Sequence, residues 1–588
     1  MAENLITEAA AEDILELQSK IEKFNSGEIP EERFKAYRLT RGVYGQRQRD
    51  VQMFRIKLPY GKLSPDQLRA IAAISDEFTN GNLHLTTRQN IQLHYVHLRD
   101  APAIWERLEK VGVTARESCG NTVRNITASP FAGIDPDEPF DVSPYVQAVF
   151  EYFLRNPICQ DMGRKIKMAF SAGPNDSAFA YIHDFGFIPL IKEGKRGFKV
   201  LVGGGLGAQP FVAQVAQEFL HEDELIPFIE AGLRVFDRYG ERERRNKARL
   251  KYLLDPKKGL GVDGFLELLE GEKKTLPYKT YPINVEVQDQ KIGSRDTTGL
   301  AVDSVDEEAF DQWRQTNVFS QKQSDYYAVK IRIPLGNISS EVARSLATIA
   351  ENYASDDMRA TINQGLLYRY VTEANLKPIY AELKTLNLHL PGFDTTTDVT
   401  ACPGTDTCNL GVTNSTQLST ELESLVREEY PELINEANIK IKISGCMNAC
   451  GQHMIANIGF HGSSIKVGDK VAPAMQVVIG GGVDPDGKGF IAEKVIKLPT
   501  KRIPESFRLL MDDYKENGLE GEYFNDYYRR QSKIYFYNLL KHLGASSSFH
   551  KDDFQDWGME VDFRPEVGVG ECAGVVLDLV GTILSDSE

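Results

Sequence analysis

The sequence predicts an internally duplicated α+β protein built from two related halves. Residues 54–64 read FRIKLPYGKLS and residues 329–339 read VKIRIPLGNIS, an offset of 275. The same offset, without a gap, matches Arg69 with Arg344, Ala72 with Ala347 and Ile74 with Ile349; it then matches Thr86, Gln89, Tyr95 and Val96 with Thr361, Gln364, Tyr370 and Val371. Within each copy, strand and helix patterns alternate, which suits a small α+β sandwich. A fainter echo follows. Lys165-Ile166-Lys167 aligns with Lys440-Ile441-Lys442 at the same offset, setting Lys442 opposite Lys167, and LVGGG at 201–205 resembles VIGGG at 478–482.

The first copy opens with a strand, because Phe54, Ile56 and Leu58 alternate with Arg55 and Lys57. Pro59 and Gly61 end it in a turn. Ser64 is placed to cap a helix, with Pro65 at the first position and Gln67 at capping-box spacing. Leu68, Ile71, Ala72 and Phe78 supply the apolar side of that helix. A second strand is expected over Ile91–Val96 and a second helix near Ile104–Val111. Between the copies, residues 136–310 mix strands with helices expected at 211–221 and 224–239, and the polar stretch 286–312 connects the halves. The tail ends acidic, in SDSE.

Composition narrows the function. The 588 residues are too many for one core, and 41% hydrophobic with 26% charged residues is ordinary for a globular chain. No apolar run approaches the ~20 residues that span a bilayer. The acidic, amphipathic N-terminus lacks the basic start and apolar stretch of a signal peptide, so cytoplasmic residence is expected. A net charge of −16 argues against nucleic-acid binding. GGGLG at 203–207 does not open a dinucleotide-binding unit with a downstream acid, and no Walker motif is present.

Four of the seven cysteines fall in two pairs: Cys402 and Cys408 in TACPGTDTCNLG, and Cys446 and Cys450 in SGCMNACGQ. The spacing is C-x5-C followed by C-x3-C. A structural zinc site usually uses tighter pairs, and Gly, Pro, Thr and Asn flanks make a poor apolar core. Iron–sulfur clusters take four thiolates, with small neighbours that let backbone N–H groups approach sulfur. Spacing alone leaves cluster, zinc and plain core thiols open.

TACPGTDTC followed by SGCMNACGQHMIANIGFHG closely resembles the paired motif of the sirohaem nitrite and sulfite reductases, and the resemblance covers roughly residues 40–500. It implies two ferredoxin-like half-domains plus two larger α/β domains that bind sirohaem and cluster, related by pseudo-two-fold symmetry. The expected boundaries are an N-terminal helical extension at 1–40, half-domains at 41–135 and 311–397, larger domains at 136–310 and 398–500, and a C-terminal helical extension with an acidic tail at 501–588. It also implies one [4Fe–4S] cluster on Cys402, Cys408, Cys446 and Cys450, with Cys450 also the axial ligand of the sirohaem iron.

An eight-carboxylate macrocycle and an anionic substrate need cations. In NLHLTTRQNIQLHYV, strand periodicity puts Arg88, Asn90, Gln92 and His94 on one face. Lys165 and Lys167 stand two apart and share a side. By pattern alone such residues are as well explained by solvent exposure or edge protection. TTRQN, VRN and RKIK look like the family segments that surround the distal face of the sirohaem, so the resemblance carries Arg88, Arg124, Lys165 and Lys167 over as the catalytic set. Arg47 and Arg55, with Arg49 and Lys57, are candidate partners for macrocycle carboxylates. Asn125, Asn448 and Gln452, from the same motifs, are further cofactor contacts.

In the family, a second lysine is typical of sulfite reductases, so Lys167 favours six-electron reduction of sulfite to sulfide. Gly451-Gln452 looks more like the nitrite branch, which makes nitrite reduction to ammonia the alternative. Without a flavin or NAD(P)H fingerprint, electrons are expected from another protein, a ferredoxin first and a flavoprotein subunit second. A zinc-stabilised binding protein and a cluster-only electron carrier are the readings from other classes. Cys119, five residues before Arg124, is a candidate for a thioether to Tyr44 or a free thiol; Cys159 is expected in the core, and Cys572, in VGVGECAGVV, is left without a role.

Overall fold

A computed structural model describes residues 6–286, 305–436, 438–566 and 568, and the strands Val575–Leu577 and Ile583–Ser585. Cys572 and most of the polar connection lie outside the described residues. The chain divides into two compact units: residues 1–205, 212–311 and 318–389 form the first, and residues 206–211, 312–317 and 390–588 the second. Among the described residues, no helix is long and apolar enough to cross a membrane.

The repeat read from the sequence is a strand exchange within the first unit. Each copy contributes four strands to one five-stranded sheet and lends a short strand to the other sheet. Lys62–Leu63 pairs with Met358–Ala360, Leu63 opposite Met358. Asn337–Ser339 pairs with Asn82–Leu85, Ile338 opposite Leu83. These are the same pairing shifted by 275 residues. The backbone repeats with the sequence: Asp50, Tyr60, Gln89 and Tyr95 have positive φ, and so do Asp325, Leu335, Gln364 and Tyr370. Such angles are uncommon for residues with a Cβ and persist only where the surroundings hold them.

The helix Pro65–Phe78 starts as expected, with Ser64 and Gln67 forming a reciprocal capping box. Its partner helix, Ser340–Tyr353, is capped by Ser339. Arg69 pairs with Glu351, and Arg344 pairs with Asp76. These are again equivalent residues, since Arg69 matches Arg344 and Asp76 matches Glu351 at the same offset.

Each unit holds a second kind of sheet. In the first, strands Thr127–Ala128, Met168–Phe170 and Phe185–Lys192 run parallel, then Lys195–Val202 and Gln214–His221 turn antiparallel. In the second, Thr400–Ala401, Ile441–Ser444, Ile458–Val467, Lys470–Ile479 and Glu493–Pro499 repeat that order and those directions. The helix expected at 211–221 is therefore the edge strand Gln214–His221. Its mixed apolar spacing allows either form, and the free edge of Lys195–Val202 decides it. The helix expected at 224–239 is present as Leu225–Tyr239.

This sheet also corrects the register of the repeat. Thr127 stands opposite Ala169 and Met168 opposite Phe185; Thr400 stands opposite Lys442 and Ile441 opposite Ile458. The offset here is 273. The structural counterpart of Lys167 is thus Lys440, while Lys442 corresponds to Ala169. A slip of two keeps every side chain on its face, so alternation could not reveal it.

The N-terminal extension is helical, Glu8–Asn25 and Glu31–Leu39. It packs on the first unit through Asp13, whose carboxylate meets Arg155 Nε at 2.8 Å and Arg116 Nη1 at 3.2 Å. At the other end, helices Ile503–Asn517, Phe524–Gln531 and Lys533–Leu540 belong to the second unit.

Candidate functional site

In the first unit, four segments converge on a group of largely half-buried cations. Arg88 sits in the tight turn Thr86–Asn90, not on the strand where alternation placed it, and the strand begins at Ile91. The turn closes through Thr86 N–H to Asn90 O at 3.0 Å and Arg88 N–H to Thr86 Oγ1 at 3.1 Å, with Gln89 at φ 52°. Arg88 Nη1 donates to His183 Nε2 at 3.0 Å, and Nη2 donates to Asn125 O. His183 Nδ1 faces Phe179 O at 2.7 Å, which fixes the tautomer that accepts from Arg88. Burial, then Arg88, hold the His183 pKa well below the usual range, so the ring is neutral.

Asn125 holds the turn rather than offering its donors to a ligand. Its Nδ2 reaches Leu58 O at 2.8 Å and Arg88 O at 2.9 Å. Its Oδ1 and Arg88 Nε are buried with no hydrogen-bond partner among the described residues. Buried polar atoms left in this state point to a polar ligand that completes them. Arg124 is anchored to its own loop, Nε to Gly120 O and Nη1 to Ser118 O, both at 2.9 Å.

Lys165 and Lys167 precede the strand Met168–Phe170 instead of lying on it. They flank buried Ile166, which bridges Val123, so the pair still shares one side. Burial lowers the Lys167 pKa well below the usual range, reinforced by Arg249, Lys165 and Arg88 and opposed by Asp184. Arg249 and Lys251 are functional candidates that no motif signalled. Burial, then Arg249, press Lys251 down to about 7. The glycine triplet at 203–205 packs here: a Cβ on Gly205 would lie 3.1 Å from Lys251 Cδ and 3.3 Å from Arg249 Nη2.

The other predicted cations separate. Arg55 lies across the sheet from Gln92 and belongs to the electrostatic environment of Arg88. Arg47 is half-buried in the loop after Val43–Gly45, and Arg49 is exposed. Lys57 has partners inside the protein. It is 3% exposed, donates to Val123 O at 3.3 Å and stands 3.8 Å from Glu117, so its charge is already compensated inside the protein. Cys119 and Cys159 are both buried, Cys159 in the apolar core and Tyr44 half-buried on its strand.

In the second unit, the two cysteine loops meet. Gly445 N–H donates to Cys402 Sγ at 3.2 Å. A Cβ on Gly445 would stand 2.7 Å from Gly404 Cα, so the loops touch glycine against glycine. Cys402 and Cys446 are buried, Cys408 is half-buried and Cys450 exposed. Burial, then Cys450, push the Cys402 thiol up to about 12, and burial, then the other three cysteines, hold the Cys446 thiol well above its ordinary value. The four thiols are thus in electrostatic reach of one another. Yet no three His, Cys, Asp or Glu side chains among the described residues stand close enough to hold a single ion.

The Asn448 side chain is exposed, and its backbone N–H bonds the Cys446 sulfur. Gln452 is buried at φ 62° and starts the turn His453–Ile455.

At the corrected offset of 273, Cys402, Cys446 and Cys450 correspond to Ser129, Gly173 and Ser177 of the first unit. The backbone bonds match: Ser129 N–H to Phe170 O at 2.9 Å repeats as Cys402 N–H to Ile443 O at 3.3 Å, and Ala178 N–H to Ser171 Oγ at 3.1 Å repeats as Gly451 N–H to Ser444 Oγ at 3.0 Å. One framework therefore carries thiols in one copy and none in the other.

Residues 119–276 and 392–535 match the family profile described as nitrite and sulphite reductase 4Fe-4S domain; residues 44–111 and 319–386 match the nitrite/sulfite reductase ferredoxin-like half domain. The chain belongs to the nitrite and sulfite reductase family. Its cofactors are accordingly a [4Fe–4S] cluster and sirohaem, and it is an oxidoreductase. Among its relatives, the assimilatory ferredoxin-dependent nitrite reductase of Haloferax mediterranei is 30% identical over 510 residues, 83% of each chain. Sulfite reductase [ferredoxin] 1 of Mycolicibacterium paratuberculosis is 29% identical, covering 80% of this chain and 81% of that one. The structure of the Mycobacterium tuberculosis NirA protein superposes with a TM-score of 0.73 at 26% identity, covering 86% of this chain and 92% of that one. The chain thus holds two ferredoxin-like half-domains and two mixed five-stranded sheets.

Proposed function

We propose that this reductase acts on sulfite, reducing it to sulfide, with nitrite as a second substrate of the same site. The observation that carries this reading is the convergence of Arg88 and Lys165 on Lys167, three half-buried cations within electrostatic reach. Each cation within ~4 Å of a bound anion contributes about 4 kcal/mol at an effective dielectric near 20. A second lysine adds charge that suits sulfite better than singly charged nitrite.

The bound sirohaem and cluster supply the iron and the electrons. Arg88 and Arg124, their guanidinium orientations fixed by loop carbonyls and His183, bind and orient the oxyanion. Reduction breaks three S–O bonds, and each oxygen leaves as water, so protons must reach it. Lys165 and Lys167 are the proton donors. The low Lys167 pKa makes proton release from Nζ easier than from an exposed lysine. Cys402, Cys408, Cys446 and Cys450 would hold the cluster, and Cys450, the exposed thiol, would also ligate the sirohaem iron. Arg47, Arg55, Asn125, Asn448 and Gln452 are the proposed macrocycle contacts.

Relatives named for ferredoxin as electron donor, for nitrite and for sulfite alike, favour a ferredoxin donor here. The flavoprotein subunit considered from the sequence finds no such support. The test is turnover of both anions by the purified holoenzyme with reduced methyl viologen. A kcat/KM for sulfite above that for nitrite is expected; a tenfold preference for nitrite would overturn the assignment.

A further inference from the structure

Lys167 is set in place by a buried carboxylate that no sequence motif marks. Its backbone N–H donates to Asp184 Oδ2 at 2.9 Å. The same carboxylate takes Arg249 Nη2 at 3.0 Å on Oδ1 and 2.9 Å on Oδ2. The Asp184 side chain is fully buried and that of Arg249 is 12% exposed. The groups facing Lys167 are the cations Arg249, Lys165 and Arg88 and the anion Asp184; neutral His183 stands beside Arg88.

The duplicated position shows what the carboxylate adds. In the second unit the counterpart Lys440 N–H donates to Asn457 Oδ1 at 2.8 Å. A neutral amide is therefore enough to hold this backbone. Asp184 supplies the same bond and a negative charge, and it appears in the copy that carries the cation pocket. A buried carboxylate needs a partner, and Arg249 provides it.

We propose that Asp184 and Arg249 are a positioning pair that sets how much positive charge Lys167 presents to the oxyanion. This rests on Lys167 being an anion-binding proton donor, as argued above. The two members act in opposite senses. Asp184 favours the protonated lysine, and Arg249 disfavours it. Asp184 is bonded to the Lys167 backbone and Arg249 to Asp184, so neither needs to touch the substrate.

The test is the pH profile of kcat/KM in the holoenzyme, for sulfite and for nitrite, whose charge is constant over the range. Activity requires protonated Lys167, so it falls as pH rises through the Lys167 pKa. Asp184→Asn should move this alkaline limb down by about one pH unit, and Arg249→Gln should move it up by about one unit. Arg249→Lys keeps the charge and should leave the limb in place. A purely structural role would move both limbs the same way or neither. That result, with sirohaem and cluster absorbance intact, overturns the pairing. Asp184→Asn carries the test alone if Arg249→Gln loses its cofactors, because Asn457 shows that the amide fits; an unmoved limb there also overturns it. Lys167→Asn separates the two levels. A limb unchanged in Lys167→Asn removes the role of Lys167 itself, whereas a limb lost there but fixed in both pair variants removes only the pair.

Discussion

Gln89 and Gln364 each reach into the other's repeat: Gln89 Nε2 donates to Ala360 O at 3.0 Å, and Gln364 Nε2 donates to Leu85 O at 3.2 Å. Leu85 and Ala360 are themselves equivalent at the offset of 275, so the two bonds are one bond made twice. Gly61 and Gly336 leave the room for it, since a Cβ on either would strike Ala360 O or Leu85 O respectively. Gln89 Oε1 also accepts from Ala128 N–H at 2.9 Å, tying the exchanged strands to the larger sheet.

Gln89→Leu should therefore destabilise the first unit. It leaves Ala360 O and Ala128 N–H buried without partners, at roughly 1–3 kcal/mol each. A lower thermal midpoint with unchanged far-ultraviolet dichroism is expected. A midpoint within a degree of wild type would show that water replaces the glutamine.

Asp357 is a second stability determinant, and it titrates. It pairs with Arg359 at 2.6 Å and Arg369 at 2.7 Å, all three side chains buried. Burial pushes its carboxyl up, but the two arginines outweigh burial and hold it near 2, below the ordinary 3.8. A depressed carboxyl pKa stabilises the folded state above the ordinary value, and that stability is lost as pH falls from about 4 towards 2. Its size is about 2 kcal/mol. Asp357→Asn should cost about 3–5 kcal/mol at neutral pH by stranding two buried cations, and should flatten the acid limb of the denaturation profile.

The cluster loops make a sharp prediction. Cys402→Ser and Cys446→Ser should abolish bound iron and its visible absorbance, while Cys159→Ala should retain both. Gly445→Ala should lower cluster iron several-fold with all four thiols present, because the new Cβ falls 2.7 Å from Gly404 Cα. Full iron content in Gly445→Ala would mean that the loops yield more than close packing permits.

Lys167→Asn tests substrate choice. Removing one cation from the pocket should raise the KM for sulfite more than that for nitrite, shifting their ratio about tenfold, or about 1.4 kcal/mol. An equal effect on both anions would assign Lys167 to proton delivery alone.

The duplication and the four-thiol signature were legible in the chain itself, because each is a local pattern: a repeat and a spacing. The capping box at Ser64 and the strand Ile91–Val96 were readable for the same reason. What local patterns cannot carry is pairing. Alternation has a period of two, so it could not choose between offsets of 275 and 273, and it set Lys442 opposite Lys167 where the sheet sets Lys440. Arg88 read as a strand residue because a turn and a strand share its spacing until hydrogen bonds decide. Lys57 read as a candidate macrocycle partner because its own partner, Glu117, lies 60 residues away in sequence. Asp184 and Arg249 belong to no motif at all, and only folding brings that carboxylate to the Lys167 N–H and that guanidinium to the carboxylate. The ligand types and their order are written along the chain; which charges face one another is fixed by long-range burial, where a distant partner changes the energy of a buried ion by several kcal/mol.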